Sequence, residues 1–244
     1  MIGIISAMQE EMQALLNELK NTKSTTKGMR NYYSGTLYNK EVVLVFSRWG
    51  KVASAATTTQ LINDFEISEI IFTGVAGGII DELNIGDVVI GKHLYQHDLD
   101  AQPFYKQFEV PIIKKLYFET QNTSRLLKAT KLFINQYDLF INKKDAQNFN
   151  IKKPTVILGD IASGDQFISS LDKIKSLNKA LPSVTCVEME GASVAQVCYE
   201  YNVPFSIIRI ISDKANDNAH IDFAKFMHVI ASHYSLGIFK NYFA

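Results

Sequence analysis

Phe205-Ser206-Ile207-Ile208-Arg209-Ile210-Ile211-Ser212-Asp213 is a near-continuous apolar run, the pattern of a strand buried on both faces in the middle of a parallel sheet. Arg209 inside it needs an anion, because a buried charge without a partner is costly. The available partners are Glu11, Glu188 and Glu190, each expected at a strand end. Upstream of it, Thr185-Cys186-Val187 reads as the end of a buried strand and Ala192 to Tyr201 as a mostly apolar helix, so Glu188 and Glu190 fall at their junction. Ligands of open α/β sheets sit at the carboxyl ends of strands, which is where this junction lies. The plainer reading of Val187-Glu188-Met189-Glu190-Gly191-Ala192 is a solvated turn.

Toward the N-terminus, Ile2 to Ala7 reads as a short apolar strand, and Met8 to Lys20 carries apolar residues at helical spacing. Glu10 and Glu11 fall in that helix's first turn, where the macrodipole favours carboxylates, so capping alone accounts for them. Asn31 to Tyr38 and Glu41 to Ser47 read as a hairpin turned at Asn39-Lys40, and Ala53 to Phe65 as a helix. Glu69 to Thr73 reads as a strand ending in the glycine-rich turn Gly74-Val75-Ala76-Gly77-Gly78, where backbone amides can approach a ligand closely. Gly86 to Ile90 is a further strand, and it leads to His97-Asp98-Leu99-Asp100. A lone imidazole with two aspartates reads as a hydrogen-bonded loop, and no metal is expected. Ala101 to Lys115 is an aromatic loop that covers a pocket or meets another subunit.

Thr123 to Gln136 is helical by period, and Tyr137 to Lys153 is polar and reads as a surface excursion. Thr155 to Ile161 is a strand opening into Ala162-Ser163-Gly164-Asp165-Gln166-Phe167-Ile168, a loop shaped for a pocket. Ser163 lacks the Gly-x-Ser-x-Gly setting of a nucleophile. Phe223, Phe226, Ile230 and Tyr234 form a helical stripe of core type, with Phe223 placed to reach a site. The alternation of strands and helices predicts one α/β domain over residues 1–244, three-layer α/β/α with a mixed, largely parallel central sheet.

The composition bounds the function. At 244 residues, 47% hydrophobic and 20% charged, the chain can build a sizeable core. Lysine plus arginine equals aspartate plus glutamate at 25 each, so neither nucleic acid nor an anionic membrane is suggested as a partner. The N-terminus lacks the basic start and long apolar stretch of a signal peptide, so a cytoplasmic protein is expected. Cys186 and Cys198 have no metal or redox spacing and read as buried free thiols.

Read together, Ala7-Met8-Gln9-Glu10-Glu11, Thr73-Gly74-Val75-Ala76-Gly77-Gly78, Ser163 to Ile168, Val187-Glu188-Met189-Glu190 and Arg209-Ile210-Ile211-Ser212-Asp213 resemble the bacterial 5′-methylthioadenosine/S-adenosylhomocysteine nucleosidases, of the purine nucleoside phosphorylase superfamily. The resemblance runs from Ile2 into the last helix. It implies a nucleoside phosphorylase-like fold and hydrolysis of the N-glycosidic bond of 5′-thioadenosines, and of 5′-deoxyadenosine, to adenine and a (thio)ribose, with no cofactor. Glu11 matches the base that activates water, and Asp213 the acid facing adenine N7. Glu190 matches the ligand of the ribose hydroxyls, beside Met189. Phe167 and the backbone of Ile168 match the positions that hold the adenine, Ala76 and Gly77 stand with the substrate-binding set, and Glu188 with Arg209 as support. Met8, Trp49 and Phe223 match positions lining the sugar and the 5′ group. The Ala101 to Lys115 loop resembles a segment donated across a homodimer interface, with Phe104 near the partner's 5′ pocket.

Two alternatives keep most of these residues. Phosphorolysis is discounted because Phe72, Val75 and the acidic Gln9-Glu10-Glu11 stand where related phosphorylases bind phosphate with arginines and a serine. The same hydrolysis applied to 6-amino-6-deoxyfutalosine is left open. Val75 replaces a serine common in the family, and Trp49 replaces an aliphatic residue.

Overall fold

The computed structural model describes residues 1–215 and 219–244, the side chains of 219–222 excepted. In chain order the elements are β1 (Ile2–Ser6), α1 (Gln13–Glu18), β2 (Lys20–Lys27), β3 (Arg30–Leu37), β4 (Lys40–Phe46), α2 (Lys51–Asp64), β5 (Glu69–Gly78) and β6 (Val88–Gln96). There follow β7 (Phe118–Glu119), α3 (Thr123–Asn135), α4 (Lys143–Asn148), β8 (Val156–Ser163), α5 (Leu171–Ala180), β9 (Val184–Glu188), α6 (Gly191–Glu200), β10 (Phe205–Asp213), α7 (Ala219–Phe226), a π-helical turn (Met227–Ala231) and α8 (Ser232–Phe243).

The strands form one mixed sheet flanked by helices, the α/β layering that the sequence predicts. β10 is buried along its whole length. Its isoleucines divide between two cores: Ile208 and Ile210 pack with α1, α3 and α8 residues such as Leu15, Phe133 and Phe239. Ile207 and Ile211 pack on the other face with Leu61 of α2 and Cys198 of α6. Burial on both faces explains the unbroken apolar run.

β5 organises the site. It is parallel to β10 from Ile70↔Phe205 to Gly77↔Asp213 on one edge. On its other edge β1 pairs in parallel with Glu69 to Phe72, and β9 pairs antiparallel only with Gly77 and Gly78. Between Phe72 and Gly77 that edge has no strand neighbour among the described residues, and the sheet parts there. At the far side, β10 pairs with β6, β6 with β8 and β8 with β9, which closes a ring of strands back onto β5. The opening therefore lies where β1 and β9 both end, at the carboxyl end of β1.

The structure corrects several local expectations. Gly74 to Gly78 is strand, not a turn. A Cβ on Gly74 would stand 2.8 Å from Glu11 Oε1, and one on Gly77 2.9 Å from Asp213 Oδ1. These glycines make room for carboxylates rather than bending the chain. The helix expected from Met8 to Lys20 is confined to Gln13–Glu18, because residues 8–12 wrap as turns around the inward-facing Glu11. Lys20–Lys27 is an additional, fully exposed edge strand paired with β3. Within the Tyr137 to Lys153 excursion, Ile141, Ala146 and Ile151 are buried in the core. Among the described residues no helix is long and apolar enough to cross a membrane.

Candidate active site

Glu11 fills the parting in the sheet edge. Its Oε1 accepts a hydrogen bond from the Val75 amide at 3.0 Å, taking the bond that a neighbouring strand would have taken. Its Oε2 accepts from the Ala7 and Met8 amides, each at 2.9 Å. Burial pushes the carboxyl up to about 7 from an ordinary 4.5, although Arg209 and those amides pull the other way. A carboxyl held there is ready to take a proton near neutrality. Capping does not account for it: Glu11 is buried, whereas Glu10 is exposed.

The two carboxylates of the β9–α6 junction have different surroundings. Glu188 Oε2 receives Arg209 Nη2 at 2.6 Å and Nε at 3.2 Å. Glu188 also accepts from the Ser163 hydroxyl and from the Glu190 and Gly191 amides. The Arg209 guanidinium lies 4.1 Å from the centre of the Phe72 ring, and Nη1 donates to the Ile208 carbonyl at 2.9 Å. The anion that the strand arginine requires is therefore Glu188. Neither residue is spare: removing one leaves the other a buried charge, a loss of about 3–5 kcal/mol. Arg209→Met should lower the unfolding free energy by that amount in a urea titration. A variant within about 0.5 kcal/mol of the parent would show that the pair does not hold the fold.

Glu190 is less encumbered. Its Oε1 accepts from the Gly50 amide at 2.8 Å. Burial first, and then the charge of Glu188, raise its pKa. Asp213, at the end of β10, is also buried. Its Oδ2 accepts from Ser212 Oγ and its Oδ1 from the Ala215 amide, both at 2.8 Å, which fixes the plane of the carboxyl.

These elements line one partly open cavity. The sequence-predicted residues Met8, Glu11, Trp49, Ala76, Gly77, Phe167, Ile168, Glu188, Met189, Glu190, Asp213 and Phe223 all line it. Among the described residues its ionisable lining is acidic: Glu11, Glu188, Glu190 and Asp213. Phe223 joins two other rings edge-on, Trp49 at 6.1 Å and Phe167 at 5.8 Å, making an aromatic wall. Arg209 stands behind this cavity through Glu188, and Phe104 is 89% exposed on its loop and is not among the described lining residues. His97 and Asp98 also lie outside it. Asp98 pairs with Lys51, and the His97 ring sits where a Cβ on Gly164 would be, 2.4 Å away.

Sequence reading missed some contributors. Ser163 is not exposed as a nucleophile would be; its hydroxyl donates to Glu188 and accepts from the Ala192 amide at 2.7 Å. The Gly50 amide and the Ser212 hydroxyl act on carboxylates far away in sequence or in an adjacent residue, and no local pattern marks them.

A family model described as Phosphorylase superfamily matches residues 1–243. The chain is similar to a 5′-methylthioadenosine/S-adenosylhomocysteine nucleosidase of Staphylococcus aureus (strain bovine RF122 / ET3-1), 37% identical over 95% of this chain and 94% of that one. Among solved structures it is similar to the same kind of nucleosidase from S. pneumoniae with a transition-state inhibitor, at TM-score 0.83 and 34% identity, covering 99% of this chain and 97% of that one. It is also similar to a futalosine hydrolase mutant of Helicobacter pylori strain 26695, at TM-score 0.82 and 31% identity, covering 99% and 97%.

Proposed function

The chain belongs to the phosphorylase superfamily and, within it, to the 5′-methylthioadenosine/S-adenosylhomocysteine nucleosidases, and we propose that it hydrolyses the N-glycosidic bond of those two nucleosides, and of 5′-deoxyadenosine, to adenine and the (thio)ribose. The observation that carries this reading is the convergence of Glu11, Glu190 and Asp213 on one cavity from three separate strand ends. Adenine leaves poorly as an anion, so an acid at N7 lowers the barrier. Asp213 takes that role, its carboxyl held in plane by Ser212 and Ala215. As the bond to adenine stretches, the sugar gains oxocarbenium character, which nearby carboxylates stabilise. Glu190 holds the ribose hydroxyls beside Met189, and Glu11 takes the proton of the attacking water. Phe167 and the Ile168 backbone hold the purine against Ala76 and Gly77, and Met8, Trp49 and Phe223 face the sugar and its 5′ group.

The acidic lining favours water over phosphate as the nucleophile. An inorganic phosphate would face Glu11, Glu188 and Glu190 with no lysine or arginine among the described lining residues. The likeness to a futalosine hydrolase keeps a second reading, the same cleavage of 6-amino-6-deoxyfutalosine. A substrate panel decides: adenine release from methylthioadenosine and S-adenosylhomocysteine should exceed that from aminodeoxyfutalosine, and inosine should not be cleaved. Preference for aminodeoxyfutalosine would transfer the assignment to the second reading.

We further propose a cytoplasmic homodimer of a single domain spanning residues 1–244. Phe104 and Ile112, 89% and 85% exposed on the Ala101 to Lys115 loop, supply the apolar surface for that contact, with Phe104 directed to the partner's 5′ pocket. A fully active monomer in sedimentation at micromolar concentration would contradict it.

A further inference from the structure

The register of two strands brings together a set of charged residues that the cavity itself does not contain. β6 and β8 run parallel with Gln96 opposite Ser163, so Asp98 and Asp165 both lie two residues beyond their strand ends and side by side. Asp98 Oδ2 accepts from the Asp165 amide at 2.8 Å. Asp98 Oδ1 pairs with Lys51 Nζ at 2.5 Å, and the same ammonium donates to Gln96 Oε1 at 3.2 Å. Asp165 Oδ1 in turn accepts from the Lys51 amide at 2.8 Å, at the first residue of α2. This closes a loop of contacts: side chain to side chain from Lys51 to Asp98, Asp98 to the Asp165 backbone, and Asp165 back to the Lys51 backbone.

The contacts converge on Gly50. Its φ of +92° suits glycine. A Cβ there would stand 2.9 Å from Asp165 Oδ1, so the carboxylate is packed against this residue. The Gly50 amide is the donor to Glu190 Oε1. At the carbonyl of the same residue, Ser54 Oγ donates to the Gly50 oxygen at 2.9 Å and lies 2.6 Å from Ser193 Oγ, and Ser193 Oγ donates to the Glu190 carbonyl at 2.7 Å. Trp49 precedes Gly50, while Gln166 and Phe167 follow Asp165. One clamp therefore spans two walls of the cavity.

We propose that Lys51, Asp98 and Asp165 are positioning residues that fix the Gly50 amide on Glu190. They touch no reacting atom and act through Glu190. The inference rests on the assignment of Glu190 to the ribose hydroxyls. Misplacing a group that orients substrate by about 1 Å can cost on the order of a hundred-fold.

The test is a mutant cycle read by steady-state kinetics on methylthioadenosine, with thermal unfolding as a check on folding. Asp165→Ala should lower kcat/KM by between about ten- and a hundred-fold, and Asp165→Asn, which keeps an acceptor for the Lys51 amide, should recover most of the loss. Lys51→Met should reproduce the Asp165→Ala defect from the other side of the clamp. In a Glu190→Ala background, Asp165→Ala and Lys51→Met should each add less than about three-fold, because the carboxylate they position is gone. Equal losses in the parent and Glu190→Ala backgrounds, or no loss in the parent, would overturn the clamp. If Asp165→Ala does not fold, the Lys51→Met arm of the cycle decides alone. Absence of adenine release by the parent protein would instead overturn the functional assignment, so the two failures are distinct.

Discussion

Asp213→Asn should still bind adenosine analogues and should lose turnover by on the order of a hundred- to ten-thousand-fold, the worth of a positioned general acid. The carboxyl lies at the end of β10, where Ser212 Oγ and the Ala215 amide occupy one oxygen each. An asparagine keeps the shape of that group and can still donate a hydrogen bond to a purine nitrogen. It cannot transfer a proton. Binding should therefore survive within a few-fold while kcat collapses, the signature of an interaction that acts in the transition state. Equal weakening of analogue binding and turnover would mean that Asp213 only holds the base. A non-catalytic nucleoside-binding protein would show no change in its function.

Glu11→Gln should reduce kcat by a comparable factor, about a hundred- to ten-thousand-fold. Glu11 accepts from amides on both oxygens, Val75 on one and Ala7 with Met8 on the other. The amide of glutamine has a single acceptor oxygen, so its NH2 must oppose one of those donors, and the base is lost as well. The parent protein carries a second signature. With Glu11 pushed up to about 7, kcat/KM should fall as pH drops through about 7, because the protonated carboxyl cannot accept from water. Stability should move the opposite way. The folded state keeps the Glu11 proton above 4.5, where the unfolded chain releases it, so the unfolding free energy should decline as pH rises from 4.5 through about 7. A kcat/KM profile flat from about pH 5 to about pH 8 would remove Glu11 as the base.

Much of this arrangement is legible in the sequence because burial leaves a strong pattern. The run from Phe205 to Asp213 matches β10 end to end, and its arginine points to a buried anion before any contact is seen. The cavity lining follows from motifs at strand ends, since a parallel strand delivers its next residues to the carboxyl edge of the sheet. Other features escape for physical reasons. Lys20–Lys27 is an exposed edge strand of polar residues, with no buried face to impose alternation. The Gly74 to Gly78 segment has turn composition, and only the distant carboxylates of Glu11 and Asp213 explain why glycine stands in a strand there. The closure of the sheet through β6, β8 and β9 depends on long-range pairing that no short window contains.

Whether water or phosphate displaces adenine is decided by titrating phosphate into a methylthioadenosine cleavage assay and identifying the sugar product. The acidic cavity predicts free thioribose and an adenine-release rate that is unchanged from phosphate-free buffer upward. A rate that rises with phosphate concentration, with thioribose 1-phosphate as the product, would contradict it.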